Sequence, residues 1–184
     1  MRVERLALPE VMLIVPDRHG DARGYFSETF NAARFAEIGI GDAFVQDNES
    51  LSRDHGTLRG LHCQVPPYAQ GKLVRVLRGA AFDVAVDARV GSPSHGKWVA
   101  ARLTAEEGEQ LWIPPGFLHG YLTLVDETEI FYKVTAPYRP EAERGIAWND
   151  PDIAIGWPLM GAPILSAKDR VLPAFAEARD WFPG

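Results

Sequence analysis

Only one cysteine, Cys63, stands in the chain, so no disulfide framework can form within it. Long apolar runs are also missing: no stretch approaches the roughly 20 apolar residues that a membrane span needs. The opening, "MRVERLALPEVMLIVPD", has neither an extended apolar centre nor a small-residue cleavage site, and Pro9 and Glu10 interrupt it. No signal peptide is expected from that pattern. Excess positive charge is absent too. Nineteen Lys and Arg against twenty-five Asp and Glu leave a net charge of −6, which argues against a general binder of nucleic-acid backbones. A local basic pocket can still hold a small anion against that global sign. Internal repeats and low-complexity segments are lacking. The 184 residues, 46% hydrophobic and 24% charged, have a globular composition and one domain's length. The expectation is a single domain over residues 1–184, soluble and cytoplasmic, with no nucleic-acid or membrane partner.

What is present is a succession of short segments with an apolar period near two, punctuated by Gly, Pro and Asp. "VMLIVP" reads as a strand, "DRHGDARG" as a loop and "YFSETF" as another strand. "NAARFAEIG" is the one clear helix, with Asn31 placed to cap it and Gly39 to end it. "FVQDNESLS" and "TLRGLHCQ" read as extended, with "RDHG" between them. Three hairpins are expected: "KLVRVLRGAAFDVAVDARV" turning at Arg78-Gly79, "KWVAARLTAEEGEQLWIPPG", and "HGYLTLVDETEIFYKV" turning at Asp126-Glu127. After Pro137 the chain becomes rich in Pro, Gly and Trp without periodicity, which predicts a wrap over the body. The tail "VLPAFAEARDWF" predicts a short helix. Many short strands with turns between them predict an all-β sandwich or barrel, and a jelly roll offers an interior cavity.

Two polar residues interrupt "GTLRGLHCQ". Strict alternation turns His62 with Leu58, Gly60 and Gln64, and Arg59 with Leu61 and Cys63. The ordinary reading of a lone strand histidine is a satisfied core residue. Arg59 argues for more, because a guanidinium among apolar strand residues needs an anionic partner. Only a twist or bulge would bring it to the His62 face. Gly60 would leave room beside the imidazole for a ligand. In "EIFYKVT" Tyr132 shares a face with Ile130 and Val134; it is either a rim aromatic or a phenol aimed inward as a proton donor. Lys72 opens a strand, where a lysine is ordinarily a solvated edge charge; turned inward, it would steady an oxyanion. Asp83 and Asp169 are both candidates to hold His62 in one tautomer, and the residues alone leave the choice open.

"IPPGFLHGY" places Pro114, Gly116 and His119 in the spacing P-x-G-x-x-H, which resembles the second half of the cupin metal signature. The first half is not matched: His62-Cys63-Gln64 carries glutamine where a second histidine belongs, and no glutamate follows in "VPPYAQGK". His62 and His119 alone are too few for a first-row metal site. A barrel without a metal is the reading.

In order along the chain, "GDARGYFSETF", "FVQDN", "LRGLH", "QGKLVRVLRGAAFDVAVDAR", "GSPSHGKW", "QLWIPPGFLHG", "YK", "RGIAWNDP" and "LSAKDR" resemble the dTDP-4-dehydrorhamnose 3,5-epimerase family over nearly the whole length. The resemblance implies a jelly-roll (cupin) β-barrel with a few short peripheral helices, a homodimer, and catalysis with no metal and no organic cofactor. It implies His62 as general base, Tyr132 as general acid, Asp169 as the carboxylate on His62, and Lys72 beside the C4 oxygen. It also implies a nucleotide-sugar site lined by Arg23, Glu28, Gln46, Asp47, Asn48, Arg59, His119, Glu143 and Lys168, with Tyr138 stacking on thymine. Two departures stand out: Cys63 replaces an aromatic often found after the histidine, and "ESLSRDHGT" is slightly long.

The implied chemistry is proton removal next to the C4 ketone of dTDP-4-keto-6-deoxy-D-glucose, and proton return from the opposite face at C3 and C5. Imidazoles ordinarily titrate near neutrality and phenols near 10, which suits a base and an acid at working pH. Arg23, Arg59 and Lys168 can offset the diphosphate. Three rival readings are an epimerase acting at one carbon only, a metal-dependent cupin enzyme, and a non-catalytic sugar-binding jelly roll.

Overall fold

The computed structural model describes residues 1–177 and 180–182. Its strands are β1 (Arg2–Arg5), β2 (Met12–Val15), β3 (His19–Asp21), β4 (Gly24–Phe26), β5 (Gln46–Ser52), β6 (Leu58–Gln64) and β7 (Lys72–Arg78). They continue with β8 (Ala80–Asp87), β9 (Trp98–Thr104), β10 (Gln110–Ile113), β11 (Phe117–Thr123), β12 (Thr128–Val134) and β13 (Glu143–Gly145). One helix, α1 (Ala32–Glu37), and three 3-10 turns complete the described elements. The chain is all-β. Two antiparallel sheets carry the fold: six strands in the order β1-β2-β10-β7-β12-β5, and five in the order β13-β6-β11-β8-β9. They face each other as a jelly-roll sandwich with free edges and do not close into a barrel.

The three expected hairpins are not hairpins. β7, β10 and β12 lie in the six-stranded sheet, while β8, β9 and β11 lie in the five-stranded one. Each expected partner pair is therefore split between the layers. Alternating apolar residues say that a segment is a strand with one buried face, and they say nothing about which strand it pairs with. The Gly79 turn shows why a tight link was misleading: its φ is +82°, and an added Cβ would sit 2.6 Å from Thr128 Oγ1. That crowding marks a corner where the chain crosses between sheets. β8 and β9 do pair, across a loop held by buried Asp87, which accepts hydrogen bonds from Arg89, Ser92 and Ser94.

Other local expectations fare unevenly. Asn31 caps α1 by accepting from the amides of Ala33 and Arg34, and Gly39 follows its end with φ +96°. "DRHGDARG" is not all loop, since β3 and β4 form a two-stranded ribbon. "VMLIVP" supplies β2, which lies inside its sheet with β1 on one side and β10 on the other. The tail forms a 3-10 turn at Phe175–Glu177; residues 178 and 179 of the expected helix lie outside the described residues.

Between the sheets, Val74, Val76, Leu111 and Ile130 pack on Ala81, Ala85, Leu103, Phe117 and Tyr121. Each fully buried aliphatic side chain there contributes about 1.5–3 kcal/mol. α1 and the residues just after it cover the outside of the six-stranded sheet, setting Phe35 and Ile40 on Met12, Ile14, Leu73 and Trp112. The segment after β12 wraps the outside of the other sheet, where Ile146, Ile153 and Phe182 cover Leu61, Val84, Val86 and Leu118. Apolar packing thus fills the space between the sheets and covers both outer faces.

Candidate active site

β6 and β11 pair with a register break. Arg59 faces Tyr121 and His62 faces His119, so Gly60 and Leu61 together oppose Gly120 alone. His119 and Tyr121, two residues apart, share a face of β11; their partners share it too. This bulge is the device that alternation could not supply, and it brings Arg59 round to the His62 side. It requires glycine on both strands. Gly60 has φ +118°, and a Cβ there would lie 2.6 Å from the Gly120 Cα. Gly60 therefore serves close approach of two backbones and not of a ligand.

A cavity of about 480 Å3 opens on that face, lined by Arg59, His62, His119 and Tyr121 from the five-stranded sheet and by Ser50, Lys72 and Tyr132 from the other. Lys168 and Asp169 reach it from the wrapping segment. His62 Nε2 bonds Asp169 Oδ1 at 2.6 Å, and the Asp169 amide donates to Ser166 Oγ at 3.0 Å. With Nε2–H given to the carboxylate, Nδ1 carries the free lone pair. Burial raises the Asp169 pKa, but the hydrogen bond and charge of His62 outweigh it and the net shift is downward. Asp169 thus stays ionised. Gly145 of β13 lies opposite His62, and its missing Cβ would come within 3.0 Å of the imidazole. Nothing in the sequence marked that role.

Asp83 is engaged elsewhere: its two oxygens lie 3.0 and 3.1 Å from His119 Nε2. Burial lowers the His119 pKa against the opposing charge of Asp83. Lys72 is turned inward, and burial lowers its pKa as well. Burial first, then the neighbouring Tyr121, raises the Tyr132 pKa, which leaves its phenol protonated at neutral pH. Among the described residues the Tyr132 hydroxyl has no hydrogen-bond partner.

A second lobe of about 320 Å3 shares His62, Lys72 and Tyr132 with the first and adds Gln46, Asn48, Gln64, Gln70, Tyr138 and Glu143. Gln46 Oε1 accepts from the Tyr138 amide at 2.9 Å, and Tyr138 Oη donates to Glu143 at 3.0 Å. Lys168 Nζ lies 2.5 Å from the same carboxylate. Burial raises the Glu143 pKa, but Lys168 and Tyr138 together bring it down on balance. Gln64 is a clamp, donating to the carbonyls of Tyr68 and Pro137 and accepting from the Arg139 amide. Cys63, though buried, also lines this lobe, and burial pushes its thiol up to about 12.

Three expected site residues lie outside both lobes. Asp47 points to the opposite face of β5 from Gln46 and Asn48, and Lys133 holds it at 2.8 Å. Arg23 projects into solvent on the β3–β4 ribbon, paired with Asp21. Glu28 pairs with Arg34 of α1 at 3.0 Å. The sequence reading missed Ser50, Ser166, Tyr121 and Gly145; alternation along β5 was the one available signal for Ser50 and against Asp47. Among the described residues no three His, Cys, Asp or Glu side chains are grouped to hold a metal ion, and no helix is long and apolar enough to cross a membrane.

A family model described as dTDP-4-dehydrorhamnose 3,5-epimerase matches residues 5–177. The chain belongs to that family of isomerases. It is 55% identical to the dTDP-4-dehydrorhamnose 3,5-epimerase of Sinorhizobium fredii, over 96% of this chain and 91% of the relative. It is 53% identical to the enzyme of that name from Pseudomonas aeruginosa, over the full length of both. The crystal structure of a dTDP-6-deoxy-D-glucose-3,5-epimerase from Legionella pneumophila, in complex with dTDP-4-keto-L-rhamnose, superposes with a TM-score of 0.91. That alignment is 46% identical and covers 96% of each chain.

Proposed function

We propose that residues 1–184 act as one domain that converts dTDP-4-keto-6-deoxy-D-glucose to dTDP-4-keto-L-rhamnose. The reaction inverts C3 and C5 and serves dTDP-L-rhamnose or related deoxysugar biosynthesis. One observation carries this reading: His62 and Tyr132 line one cavity but project from opposite sheets. A sugar ring between the layers then meets a base on one face and an acid on the other, as inversion of a carbon requires.

His62, held by Asp169, takes the proton beside the ketone, and the electron pair passes to the C4 oxygen. Lys72, next to Tyr132 on the facing sheet, steadies that oxyanion, with a charged amine in a dry site worth far more than in water. Tyr132 then delivers its hydroxyl proton to the same carbon from the other side. Arg59 and Lys168 supply positive charge for the diphosphate, and His119, fixed by Asp83, borders the sugar. Gln46, Asn48, Glu143 and Tyr138 form the lobe that takes the thymidine. None of these steps needs a metal or an organic cofactor.

The proposal extends to a homodimer in the cytoplasm. Tyr25 and Phe26 are 61% and 70% exposed on the projecting β3–β4 ribbon, an apolar surface that a second copy would cover. The same docking would carry Arg23 and Glu28 to the neighbour's cavity mouth. The one cysteine is buried and unpaired, in keeping with a reducing compartment. Light scattering at micromolar concentration should give twice the chain mass, and a monomer would reject the dimer.

The decisive test is incubation with dTDP-4-keto-6-deoxy-D-glucose in heavy water. Deuterium should appear at both C3 and C5. Exchange at one carbon would make the chain a single-site epimerase, and exchange at neither would reject the epimerase reading.

A further inference from the structure

Two inversions in one visit consume two protons from the acid side, and Tyr132 holds one. The base side has an outlet, since the His62 side chain is 25% exposed and can pass its proton to water. Tyr132 is half-buried as well, and while the sugar stays bound its refill needs a source. Tyr121 lines the same cavity from the facing sheet, is almost fully buried, and its hydroxyl lies 2.9 Å from Ser50 Oγ, with either atom able to donate. Ser50 in turn pairs with Ile130, while Tyr132 pairs with Asn48. Ser50 and Tyr132 are therefore diagonal neighbours on the inner face of one ladder, a relation within reach of a long aromatic side chain. The serine bonds one phenol and lines the cavity beside the other, whose hydroxyl is unengaged among the described residues.

We propose that Tyr121 is the proton store for the second inversion, acting through Ser50 on Tyr132 and not on the sugar itself. The inference rests on the double-epimerase reading above. After the first inversion Tyr132 is a phenolate. The Ser50 hydroxyl gives it a proton and takes one from Tyr121, so Tyr132 is restored and Tyr121 becomes the phenolate. The transfer runs between two groups of the same kind, and so has no large uphill step. Arg59 favours the charged form of both phenols, and Tyr121 regains its proton from water once product leaves. Atoms and charge balance: each carbon loses one proton to His62 and gains one from Tyr132, and no electron changes hands.

The test is a single turnover in heavy water with Tyr121→Phe, Ser50→Ala and Ser50→Thr, reading the ratio of singly to doubly inverted sugar. Tyr121→Phe and Ser50→Ala should each raise that ratio by about tenfold or more, while Ser50→Thr, which keeps a hydroxyl, should restore the parent ratio. A purely structural role would slow both carbons together and leave the ratio unchanged; that result, or an unchanged ratio in Ser50→Ala alone, overturns the proposal. Ser50→Ala removes only a hydroxyl, so it reports even if Tyr121→Phe fails to fold. A parent protein that exchanges at neither carbon would instead bring down the epimerase reading itself.

Discussion

Arg59 and His62 are three residues apart on β6, yet both face the cavity, because Gly60 and Leu61 share a single partner, Gly120, on β11. A one-residue change of register moves every following side chain to the other face of a sheet. Without the bulge, the cation and the imidazole would lie on opposite sides of the five-stranded sheet. The cavity's chemistry therefore depends on a close approach of two glycine backbones that touch no substrate.

That dependence can be measured. Gly60→Ala adds a Cβ at 2.6 Å from Gly120 Cα and 2.8 Å from the His119 carbonyl oxygen, at a φ of +118°. Backbone cannot yield as a flexible side chain would, so the cost is about 2–4 kcal/mol, or roughly 5–15 °C in melting temperature. Activity should fall further than the folded fraction does, because relief of the clash shifts Arg59 against His62. Thermal melts beside kcat/KM separate the two effects. A variant with the parent's melting point and rate would show that the bulge tolerates a side chain.

Asp169 offers a test of the base. Its carboxylate accepts a hydrogen bond from His62 Nε2–H and sits mostly out of solvent. Asp169→Asn keeps the shape but can present an amide donor to Nε2, leaving Nδ1 protonated and unable to accept. The expected outcome is a fall in kcat/KM on the order of a hundredfold or more, with dTDP binding by calorimetry within a few fold of the parent. Near-parental turnover would remove Asp169 from the mechanism.

Much of this site was legible in the sequence, and the illegible parts have physical reasons. Strand identity follows from alternation, which reports a buried face; pairing does not follow, and so β7–β8, β9–β10 and β11–β12 read as hairpins when each is a crossing between sheets. His62, Lys72, Tyr132 and Asp169 were marked by residue type and motif, and they line one cavity. Ser50, Tyr121 and Gly145 were not, because a serine, a strand tyrosine and a glycine carry no signal until the facing sheet is in place. Asp47 could have been set aside from alternation alone, since Gln46 and Asn48 flank it on the inward face of β5. Arg23 and Glu28 lie beyond the reach of this chain's own cavity.

Lys72 links stability to pH with a calculable sign. Burial lowers its pKa from the ordinary 10.5, so the folded chain disfavours the protonated form relative to the unfolded chain. The resulting cost is full below the folded pKa, and stability recovers as pH rises from there towards the ordinary value. Lys72→Met fills similar space without charge. It should be at least as stable as the parent at pH 7, with the difference narrowing by pH 10 in urea melts. The same variant should lose about 10²–10³ in kcat if the amine steadies the C4 oxyanion. A less stable variant at pH 7 would contradict the assigned burial cost.

Asp87 sets the opposite limb. Burial raises its pKa, but hydrogen bonds from Arg89, Ser92 and Ser94 outweigh that and hold it below the usual carboxylate range. A depressed folded pKa means stability that is complete above the ordinary aspartate value of about 3.9 and lost as pH falls through the folded one. Asp87→Asn leaves Arg89 with only Glu10 as an ionic partner and weakens the loop that joins β8 to β9. Unfolding by urea at pH 7 should show a loss of about 2–4 kcal/mol. The gap between variant and parent should close on titration below pH 4, since protonation removes from the parent what the substitution has already taken. A constant gap down to pH 2 would mean that packing, and not the ionised carboxylate, holds this corner together.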